Sequence, residues 1–390
     1  MESEIQAETF NYLKRYPPEF TEFLLSNKVP LSFFSDEIFD PKTPLRYIRF
    51  KPNFPGDDFL KNTMKMTSDS SIPFAKYDKF NFILNFYAIP ESIKIANLEP
   101  YNQGFLYGID LSSASVVLAL NPQYNENILD LCCCPGAKLL FIGDMMESFK
   151  VKITGSLTGV DINSKRLNIC ESLCKKYCLD WIKLKVCDGV AYKGENLYDK
   201  VLVDAECTHD GSLKHLKKYL PEFNIKHKIK IEEDEKEDSK EKEETMLSNK
   251  EKKRRKKQEE LKKNDNKYIS DKNKKNEWTM EDFKERVLDK KKLQEITNLQ
   301  MNLLRNAFHL VKPGGTIIYS TCSFIKAQNE DIVFNLCEEE KGKVELVEVF
   351  PEEIKKELKC VEGFLKKTVR FDPITSKSGG MFIAALKKIE

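Results

Sequence analysis

Short apolar segments, each ending at an acid or a cysteine, constrain the fold of this chain more than any other feature. They are ENILDLCC, whose apolar run ends in Asp130, SLTGVDI with Asp161, IKLKVCDG with Asp188, DKVLVDAEC with Asp204, and GGTIIYSTC ending at Cys322. Helical patterns such as KLLFIGDMMESF and SKRLNICESLCKKYCL lie between them. Short apolar strands that alternate with helices are typical of a parallel sheet covered on both faces. We therefore predict an α/β, Rossmann-like fold with a mostly parallel, doubly wound sheet.

The first part of the chain has a different pattern. TEFLLSNKV has helical periodicity, and PLRYIRF and KFNFILNFYAI have the composition of strands. These segments predict a smaller α+β domain at 1–115, which precedes the α/β domain at 116–390. A charged insertion interrupts the second domain at about 225–277, where low apolar content predicts disorder or partial helix. The insertion could be a solvated loop, a segment that binds phosphate groups or, at 252–257, a nuclear-import signal.

Composition narrows the classes of protein to which the chain can belong. A formal net charge of +2 gives no global basicity, and no run approaches the ~18 apolar residues of a membrane span. MESEIQAETF has no apolar signal segment, so the eleven cysteines are expected as free thiols inside the cell, in nucleus or cytoplasm. Cys132 to Cys134 are too close in sequence to wrap one ion. Cys170, Cys174 and Cys178 predict a buried helix stripe, and no metal is predicted.

The turn after the first apolar segment is a candidate binding site. LDLCCCPGAK (129–138) places Gly136 where a strand passes into a helix, and the helix N-terminus can bind an anion. The G-x-G-x-x-G pattern of dinucleotide sites is absent. Asp161 could bind both hydroxyls of a ribose, and Asp188 could accept from an adenine amino group or position its turn. Together these three features indicate S-adenosylmethionine, although strand-end aspartates are also simple caps.

Two thiols and an acid follow the fourth and fifth predicted strands. Cys207 and Cys322 are about 115 residues apart, but the usual doubly wound order makes their strands neighbours, with Asp204 beside them. Carbon 5 of a pyrimidine has no lone pair, so its methylation requires a thiolate to add to carbon 6. Asp204 would then relieve the charge at ring nitrogen 3, and the second cysteine would assist release. Each cysteine could also be a small buried apolar residue.

These motifs resemble the Rsm/Nop/Sun-type RNA (cytosine-5)-methyltransferases. LDLCCCPGAK is similar to the cofactor turn of that family, and DAECTHDG to its Asp-Ala-Pro-Cys-Ser-Gly segment. YSTCSFIKAQNED (319–331) is similar to its Tyr-Ser-Thr-Cys-Ser segment with Asn-Glu downstream. YGIDLSSASVVLAL and FDPITSKSGGMFIAAL also resemble family segments, so the likeness covers about 100–390 without the insertion.

The resemblance implies a function and a set of site residues. It implies an S-adenosylmethionine-dependent methyltransferase that modifies cytosine carbon 5 in tRNA or rRNA through a covalent cysteine–pyrimidine intermediate. Cys322 would be the attacking nucleophile, and Cys207 would help product release. The residues implied to surround the cofactor or the target base are Cys132, Cys133, Cys134, Pro135, Gly136, Ala137, Lys138, Asp161, Asp188 and Asp204.

The chain departs from the family pattern beside Cys207. Glu206 stands in place of proline, and Thr208-His209 in place of Ser-Gly. Without proline the turn could be looser, and the Glu206 carboxylate could repel phosphate or raise the pKa of Cys207. His209 could serve as a base, but a turn histidine is expected on the surface. These departures leave open an alternative, a catalytically inactive RNA-binding or ribosome-assembly factor with a methyltransferase fold.

Proteins bind an unstacked RNA base on aromatic or arginine surfaces, so exposed residues of these types are candidate RNA contacts. The candidate contacts are Arg46, Arg49, Lys51, Tyr319, Phe324, Arg370 and Phe371.

Two other classes of methyltransferase are disfavoured. A methyltransferase for small molecules or proteins would leave both thiols unexplained, and the Pro-Cys motif of DNA cytosine methyltransferases is absent. The sequence predicts no oligomeric state.

Overall fold

The computed structural model describes residues 11–39, 41, 44–66, 78–79, 83, 85–194, 197–221 and 278–390. MESEIQAETF and the predicted insertion at 225–277 therefore lie outside the described residues. Met1–Leu213 and Lys290–Glu390 form one compact unit, and Lys214–Asp289 form a second. The predicted domain boundary near residue 115 stays a prediction.

The strands follow one another along the chain. They are β1 (Leu45–Phe50), β2 (Asp78–Lys79), β3 (Phe86–Pro90), β4 (Leu106–Gly108), β5 (Asn127–Asp130), β6 (Ser156–Asp161), β7 (Lys183–Val186), β8 (Tyr198–Asp204), β9 (Val311–Thr321), β10 (Val344–Val347), β11 (Val361–Glu362), β12 (Val369–Phe371) and β13 (Met381–Lys388).

The α-helices, like the strands, are named in chain order. They are α1 (Pro18–Ser26), α2 (Asp36–Phe39), α3 (Gly56–Asp58), α4 (Glu99–Asn102), α5 (Leu111–Leu120), α6 (Ala137–Glu147), α7 (Ser164–Lys176), α8 (Leu213–Lys217), α9 (Met280–Phe283), α10 (Lys290–Leu310), α11 (Glu330–Glu339) and α12 (Glu352–Leu358). Among the described residues, no helix combines the length and apolar character needed to cross a membrane.

A small antiparallel sheet with strand order β2-β3-β1-β4 forms near the start of the first unit. Its aromatic and β-branched side chains favour extended backbone, and Ile48, Phe50, Tyr87, Ile89 and Leu106 form a buried cluster. The strands predicted in PLRYIRF and KFNFILNFYAI are present as β1 and β3. The helix predicted in TEFLLSNKV is also present, beginning three residues earlier at a proline, whose fixed φ suits a first helical turn.

Of the three basic residues in and directly after β1 that were predicted to contact RNA, Arg49 is internal, so that prediction is wrong for Arg49. Arg49 is buried, with Nε 3.5 Å from Oδ2 of Asp144 and its guanidinium 4.2 Å from the ring centre of Phe141. Lys51 lies against the same carboxylate, with Nζ 3.6 Å from Oδ1. These cations attach the small sheet to α6, and both Arg46 and Lys51 keep partial exposure.

The large sheet of the described chain has the order β11-β12-β13-β9-β8-β5-β6-β7, with β10 paired to β13. Strands β5 to β9 are parallel to one another, whereas β13 is antiparallel to β9. Ile128 packs in one core with α5, α6 and α7, and its neighbour Leu129 packs in another with α10 and α11. Alternate side chains therefore reach opposite helical layers, and the predicted Rossmann-like fold is confirmed.

The strand order creates a crevice at one edge of this sheet. From β5 the chain extends outward through β6 and β7, and it then returns to form β8 on the other side of β5. At such a reversal the loops after neighbouring strands run in opposite directions and leave space at the carboxyl ends. Asp130, Asp161 and Asp204 are the last residues of β5, β6 and β8, and Cys322 directly follows β9.

Candidate active site

The Cys132–Lys138 turn connects β5 to α6 at the crevice. Gly136 directly precedes the helix with φ 112°, a left-handed conformation that other residues rarely adopt. A Cβ at Gly136 would also lie 2.9 Å from Sγ of Cys170. Both constraints require glycine, so the turn can present the first N–H groups of α6 to an anionic ligand.

The predicted cysteine stripe on α7 is only partly present. Cys170 and Cys174 are buried, as expected, and Cys170 supports the turn at Gly136. Cys178 is exposed and lies beyond the end of α7, with φ 55°. The stripe prediction is wrong for Cys178 because the helix ends at Lys176, before the third repeat.

Asp161 and Asp188 differ in their surroundings. Asp161 is buried, and its Oδ2 accepts a hydrogen bond from the backbone N–H of Cys134 at 3.3 Å. Its Oδ1 accepts from the N–H of Asn163 at 2.9 Å, and burial raises the pKa of Asp161. Asp188 is exposed two residues beyond β7, and its Oδ1 accepts from the N–H of Val190 at 2.9 Å. Asp161 is thus tied to the turn, whereas Asp188 is tied to its own loop.

Asp130 belongs to this region, although the sequence analysis did not name it as a site residue. The side chain is fully buried, and Oδ1 accepts from the N–H of Cys132 at 3.3 Å. Oδ2 has no hydrogen-bond partner among the residues described by the structure. Burial and then the charge of Asp204 raise the pKa of Asp130 to about 8. The signal available in the sequence was the position of this acid at the end of the first strand.

Lys138 and Asp204 form an ion pair between the cofactor turn and the end of β8. Nζ of Lys138 donates to Oδ2 of Asp204 at 2.8 Å, and Oγ of Ser320 donates to Oδ1 at 2.7 Å. The carboxylate is therefore an acceptor at both oxygens. Burial opposes the charge on Lys138, but the attraction of Asp204 outweighs it and raises the pKa of Lys138. The ammonium group of Lys138 therefore lies beside Asp204, the acid that was predicted to bind the pyrimidine ring.

Cys207 and Cys322 are adjacent in space, as the strand order predicted. Their Sγ atoms lie 3.3 Å apart across 115 positions of sequence, because β8 and β9 are paired in parallel with Asp204 opposite Ser320. Nδ1 of His209 lies 2.9 Å from Sγ of Cys322 and 3.3 Å from Sγ of Cys207. His209 is half-buried and aimed at both thiols, so the expectation of a surface histidine is wrong.

The two thiols have opposite pKa shifts. The hydrogen bond to Cys207, together with burial, raises the pKa of Cys322 well above its usual range. Burial opposes ionisation of Cys207 too, but the hydrogen bond from Cys322 and the nearby His209 hold its pKa well below the usual range. The overall shift of the Cys207 pKa is downward, and the expected effect of Glu206 on it stays a prediction. Two thiolates this close would repel, so the pair retains one proton.

A buried hydrogen-bond network connects the loop after β8 to the loop after β9. Asp210 accepts from the hydroxyls of Thr208 and Ser323, the latter at 2.7 Å, and from the N–H of Phe324 at 2.8 Å. Gln328 donates to Oγ1 of Thr208 at 2.8 Å and accepts from its N–H at 3.1 Å. The network connects both cysteine-bearing loops, and no local pattern in the sequence indicated it.

Three of the four C-terminal residues predicted to contact RNA are buried aromatic residues, so that prediction is wrong for them, whereas the prediction for the partly exposed Arg370 stays a prediction. Tyr319, Phe324 and Phe371 are buried at 0%, 5% and 1% exposure. Arg370 forms a two-bond ion pair with Glu330, in which Nε lies 2.7 Å from Oε1 and Nη2 lies 2.5 Å from Oε2. Charge and aromatic character in the sequence do not distinguish an exposed contact from an internal one.

The thiols and the imidazole also form the one group of potential metal ligands found among the described residues. The ligand atoms of Cys207, His209 and Cys322 all lie within 4.8 Å of one another. A thiol pair with a hydrogen-bonded imidazole has the same spacing, so the spacing by itself assigns no ion. The absence of a metal stays a prediction.

The donor set fits S-adenosylmethionine. The N-terminus of α6 suits the ligand's carboxylate, Asp161 is an acid at the second strand end, and the unpaired Oδ2 of Asp130 leaves an acceptor for a polar group. The residues present can therefore hold such a cofactor.

The sequence matches proteins of known family. Residues 117–266 and 279–387 match the family model described as 16S rRNA methyltransferase RsmB/F. A tRNA (cytosine(49)-C(5))-methyltransferase from Pyrococcus abyssi is 22% identical over 78% of this chain and 76% of that protein. A 28S rRNA (cytosine-C(5))-methyltransferase from Mus musculus is 25% identical over 81% of this chain. A probable ribosomal RNA small subunit methyltransferase B from Bacillus subtilis (strain 168) is 23% identical over 63% of this chain.

The chain spans less than half the length of two of these relatives. It covers 32% of the mouse protein and 40% of the B. subtilis protein. Among solved structures, NSun6 from Pyrococcus horikoshii superposes with a TM-score of 0.64 at 15% identity, over 97% of this chain and all of that one. A methyltransferase homolog from the same organism gives 0.60 at 18% identity, over 98% and 99%. At these identities the likeness shows a shared fold.

Proposed function

This chain belongs to the 16S rRNA methyltransferase RsmB/F family, and from that membership we propose that it methylates cytosine carbon 5 in tRNA or rRNA. The membership agrees with the resemblance in the sequence motifs. The proposed methyl donor is S-adenosylmethionine, and the proposed site of action is inside the cell, in nucleus or cytoplasm. The observation that carries the proposal is the 3.3 Å contact between Cys207 and Cys322 beside the Lys138–Asp204 pair.

The proposed reaction starts at Cys322. Its sulfur adds to carbon 6 of the cytosine, and the electron pair of the carbon 5–carbon 6 double bond moves toward ring nitrogen 3. The ammonium of Lys138, which Asp204 holds by a 2.8 Å hydrogen bond, offers the positive charge that steadies the developing negative charge, and Asp204 positions that ammonium at the ring. When bound, S-adenosylmethionine supplies the methyl group that carbon 5 takes up.

Cys207 serves the second half of the proposed reaction. The hydrogen on carbon 5 must leave as a proton so that the ring regains its double bond and the bond from carbon 6 to Cys322 breaks. A thiolate can accept that proton, and the lowered pKa of Cys207 keeps it in the required form. The shared proton and the unequal pKa values thus suit an attacking thiol and a separate releasing base.

Relatives support RNA as the substrate class without selecting one RNA. The P. abyssi relative is named for tRNA, and the mouse and B. subtilis relatives are named for ribosomal RNA. The partly exposed Arg46 stays a proposed RNA contact, as does the N-terminal domain that contains it.

The proposal is tested by incubating transcribed tRNA and rRNA with the protein and labelled S-adenosylmethionine. We expect the Cys322→Ala variant to lose transfer, because no thiolate then activates carbon 5. The Cys207→Ala variant should accumulate a covalent protein–RNA adduct, because release is blocked. Cys337→Ala, which changes a cysteine on α11 away from the pair, should keep normal transfer.

Two results would count against this function. Full transfer by the Cys322→Ala variant would contradict the mechanism. RNA binding without transfer by the intact protein, across all RNAs tested, would favour the alternative of an inactive RNA-binding or ribosome-assembly factor.

A further inference from the structure

The position of His209 is unusual in conformation and in chemistry. Its φ is 58°, in the left-handed region that glycine adopts most readily and that histidine adopts only uncommonly. The family segment quoted above has glycine at this position. The turn requires only a residue that can adopt a positive φ at position 209. This requirement does not account for an imidazole side chain there.

The imidazole is held in a fixed direction. The loop that carries it is fastened on both sides, because Thr208 and Asp210 are buried and bonded to Ser323 and Gln328 of the opposite loop. The N–H of Gly211 also donates to the carbonyl of Cys322 at 3.0 Å. The short contact from Nδ1 of His209 to Sγ of Cys322 therefore follows from the packing of two loops.

We propose that His209 is a catalytic base of this chain, which accepts the proton of Cys322 during attack and returns it on release. This proposal rests on the proposed function for its reaction, but its geometry stands independently. The distance of 2.9 Å between Nδ1 and Sγ is within reach for direct proton transfer. His209 is thereby assigned a role that the glycine of the family segment cannot perform.

The proton and electron count is complete. The S–H bond of Cys322 breaks, its proton goes to Nδ1 of His209, and the sulfur electron pair forms the bond to carbon 6. Carbon 5 then bonds to the methyl group of the sulfonium donor, which departs as a neutral thioether with the electron pair of the broken bond. The hydrogen on carbon 5 leaves as a proton to the thiolate of Cys207, and the carbon–hydrogen bonding pair forms the ring double bond as the sulfur–carbon 6 bond breaks. Both electrons of that bond go to the sulfur of Cys322, which takes back the proton from His209. Cys207 finally releases one proton to solvent.

The charged groups around Cys322 and His209 only partly favour proton transfer from the thiol to the imidazole. Lys138 on α6 lowers the cost of a thiolate at Cys322, whereas Asp204 at the end of β8 raises it. Asp210, in the same loop as His209, is engaged by the Thr208–Ser323 network. The thiol of Cys207 also competes, because its own thiolate repels one at Cys322. A local proton acceptor at Cys322 overcomes these opposing effects.

The test measures thiol reactivity and requires neither RNA nor methyl donor. The parent protein for this test carries Cys207→Ser, which removes the competing thiol while keeping a hydroxyl of similar size. Alkylation of the Cys322 peptide by iodoacetamide is followed by mass spectrometry from pH 5.5 to 9, with EDTA present. Two variants of this parent remove the imidazole. In His209→Asn the new asparagine tolerates positive φ, and in His209→Gly the new glycine adopts positive φ without strain.

We expect alkylation at pH 6.5 to be at least about tenfold faster in the parent than in either variant, because only the thiolate reacts. The advantage should shrink toward pH 9, where an unassisted thiol ionises as well. The His209→Gly variant should unfold at a temperature no lower than its parent, so lost reactivity could not be attributed to unfolding. Superimposable pH profiles for all three proteins would overturn the proposal.

Methyl transfer measured separately distinguishes this proposal from the proposed function. If the parent alkylates as expected while the wild-type protein methylates no RNA, the proposed function fails and the role of His209 in activating Cys322 stands. If the wild-type protein methylates RNA and all alkylation profiles coincide, the function stands and His209 is not the base.

Discussion

Asp130 is energetically the least favourable residue of this site, because its carboxyl group lacks both solvent and a full set of hydrogen bonds. Asp130 is fully buried, its Oδ2 lacks a partner within the described chain, and Asp204 lies close enough to raise its pKa further. Natural proteins retain such groups where function needs a poised acid or an acceptor for a ligand. Its cost should appear in the pH dependence of folding.

We predict that replacement of Asp130 by Asn removes a pH-dependent loss of stability. The folded pKa is about 8, above the ordinary value of 3.8, so the unfolded chain releases this proton first. Stability therefore falls as pH rises through the window between these two values. Relative to Asp130→Asn, the wild-type free energy of unfolding should fall by about 4 kcal/mol from pH 5 to pH 8. Urea unfolding at several pH values measures it.

The control for this prediction is a carboxylate in water. Asp58→Asn changes an exposed acid in the first unit and should leave the pH profile parallel to that of the wild type. Parallel profiles for Asp130→Asn as well would mean that Asp130 is ionised at low pH in the folded state.

Single residues also mark where sequence reasoning stops. The acids and thiols of the site were predictable because they end apolar runs, and parallel strands bring such ends to one edge. Arg49 was mispredicted because a charge on a strand has the same appearance whether it meets solvent or a buried Asp144. His209 was mispredicted because its direction depends on a positive φ and on a network of distant loops.

At the scale of elements, the ion pairs made by the first and last residues of α11 lie in contrasting surroundings. Glu330, its first residue, is 2% exposed and bonded to Arg370, whose Nη1 also donates to the carbonyl of Phe324 at 2.8 Å. Glu339, its last residue, is 40% exposed and bonded to Arg305 of α10. The buried pair holds β12 against the loop that follows Cys322, whereas the exposed pair only joins two helix surfaces.

We predict that Glu330→Gln destabilises the protein by about 3 kcal/mol, because it leaves the Arg370 charge buried without its counter-charge. The matched variant Glu339→Gln should cost less than about 1 kcal/mol, since water screens the exposed pair. A negative charge at a helix C-terminus is also slightly unfavourable, which reduces that cost further. Chemical unfolding gives both values, and equal losses in the two variants would contradict the prediction.

The arrangement of elements was predictable only in part. Alternating apolar strands and helices predicted the doubly wound sheet and the adjacency of β8 and β9, and both are present. The antiparallel pairing of β13 with β9, and of β12 with β13, was not predicted. Register is decided by cross-strand contacts between segments far apart in sequence, which local patterns do not contain.

For the whole molecule, the sheet gathers the proposed cofactor site from separate strands, so ligand binding should stabilise the fold as a unit. The turn at Gly136 follows β5, Asp161 ends β6, and Asp188 follows β7. A ligand that binds only the folded state adds about 2.7 kcal/mol of stability at 100 times its dissociation constant. Addition of S-adenosylmethionine should therefore raise the thermal unfolding midpoint in a concentration-dependent way.

The two acids should respond differently when this stabilisation is measured in variants. Asp161 is buried and bonded to the N–H of Cys134 in the turn, so Asp161→Asn should weaken binding about tenfold and remove about 1.4 kcal/mol of the stabilisation. Asp188 is exposed and bonded within its own loop, so Asp188→Asn should remove less. Thermal unfolding across a titration of the ligand measures both. A larger loss for Asp188→Asn would assign the base-reading role to Asp188 and reduce Asp161 to a structural cap.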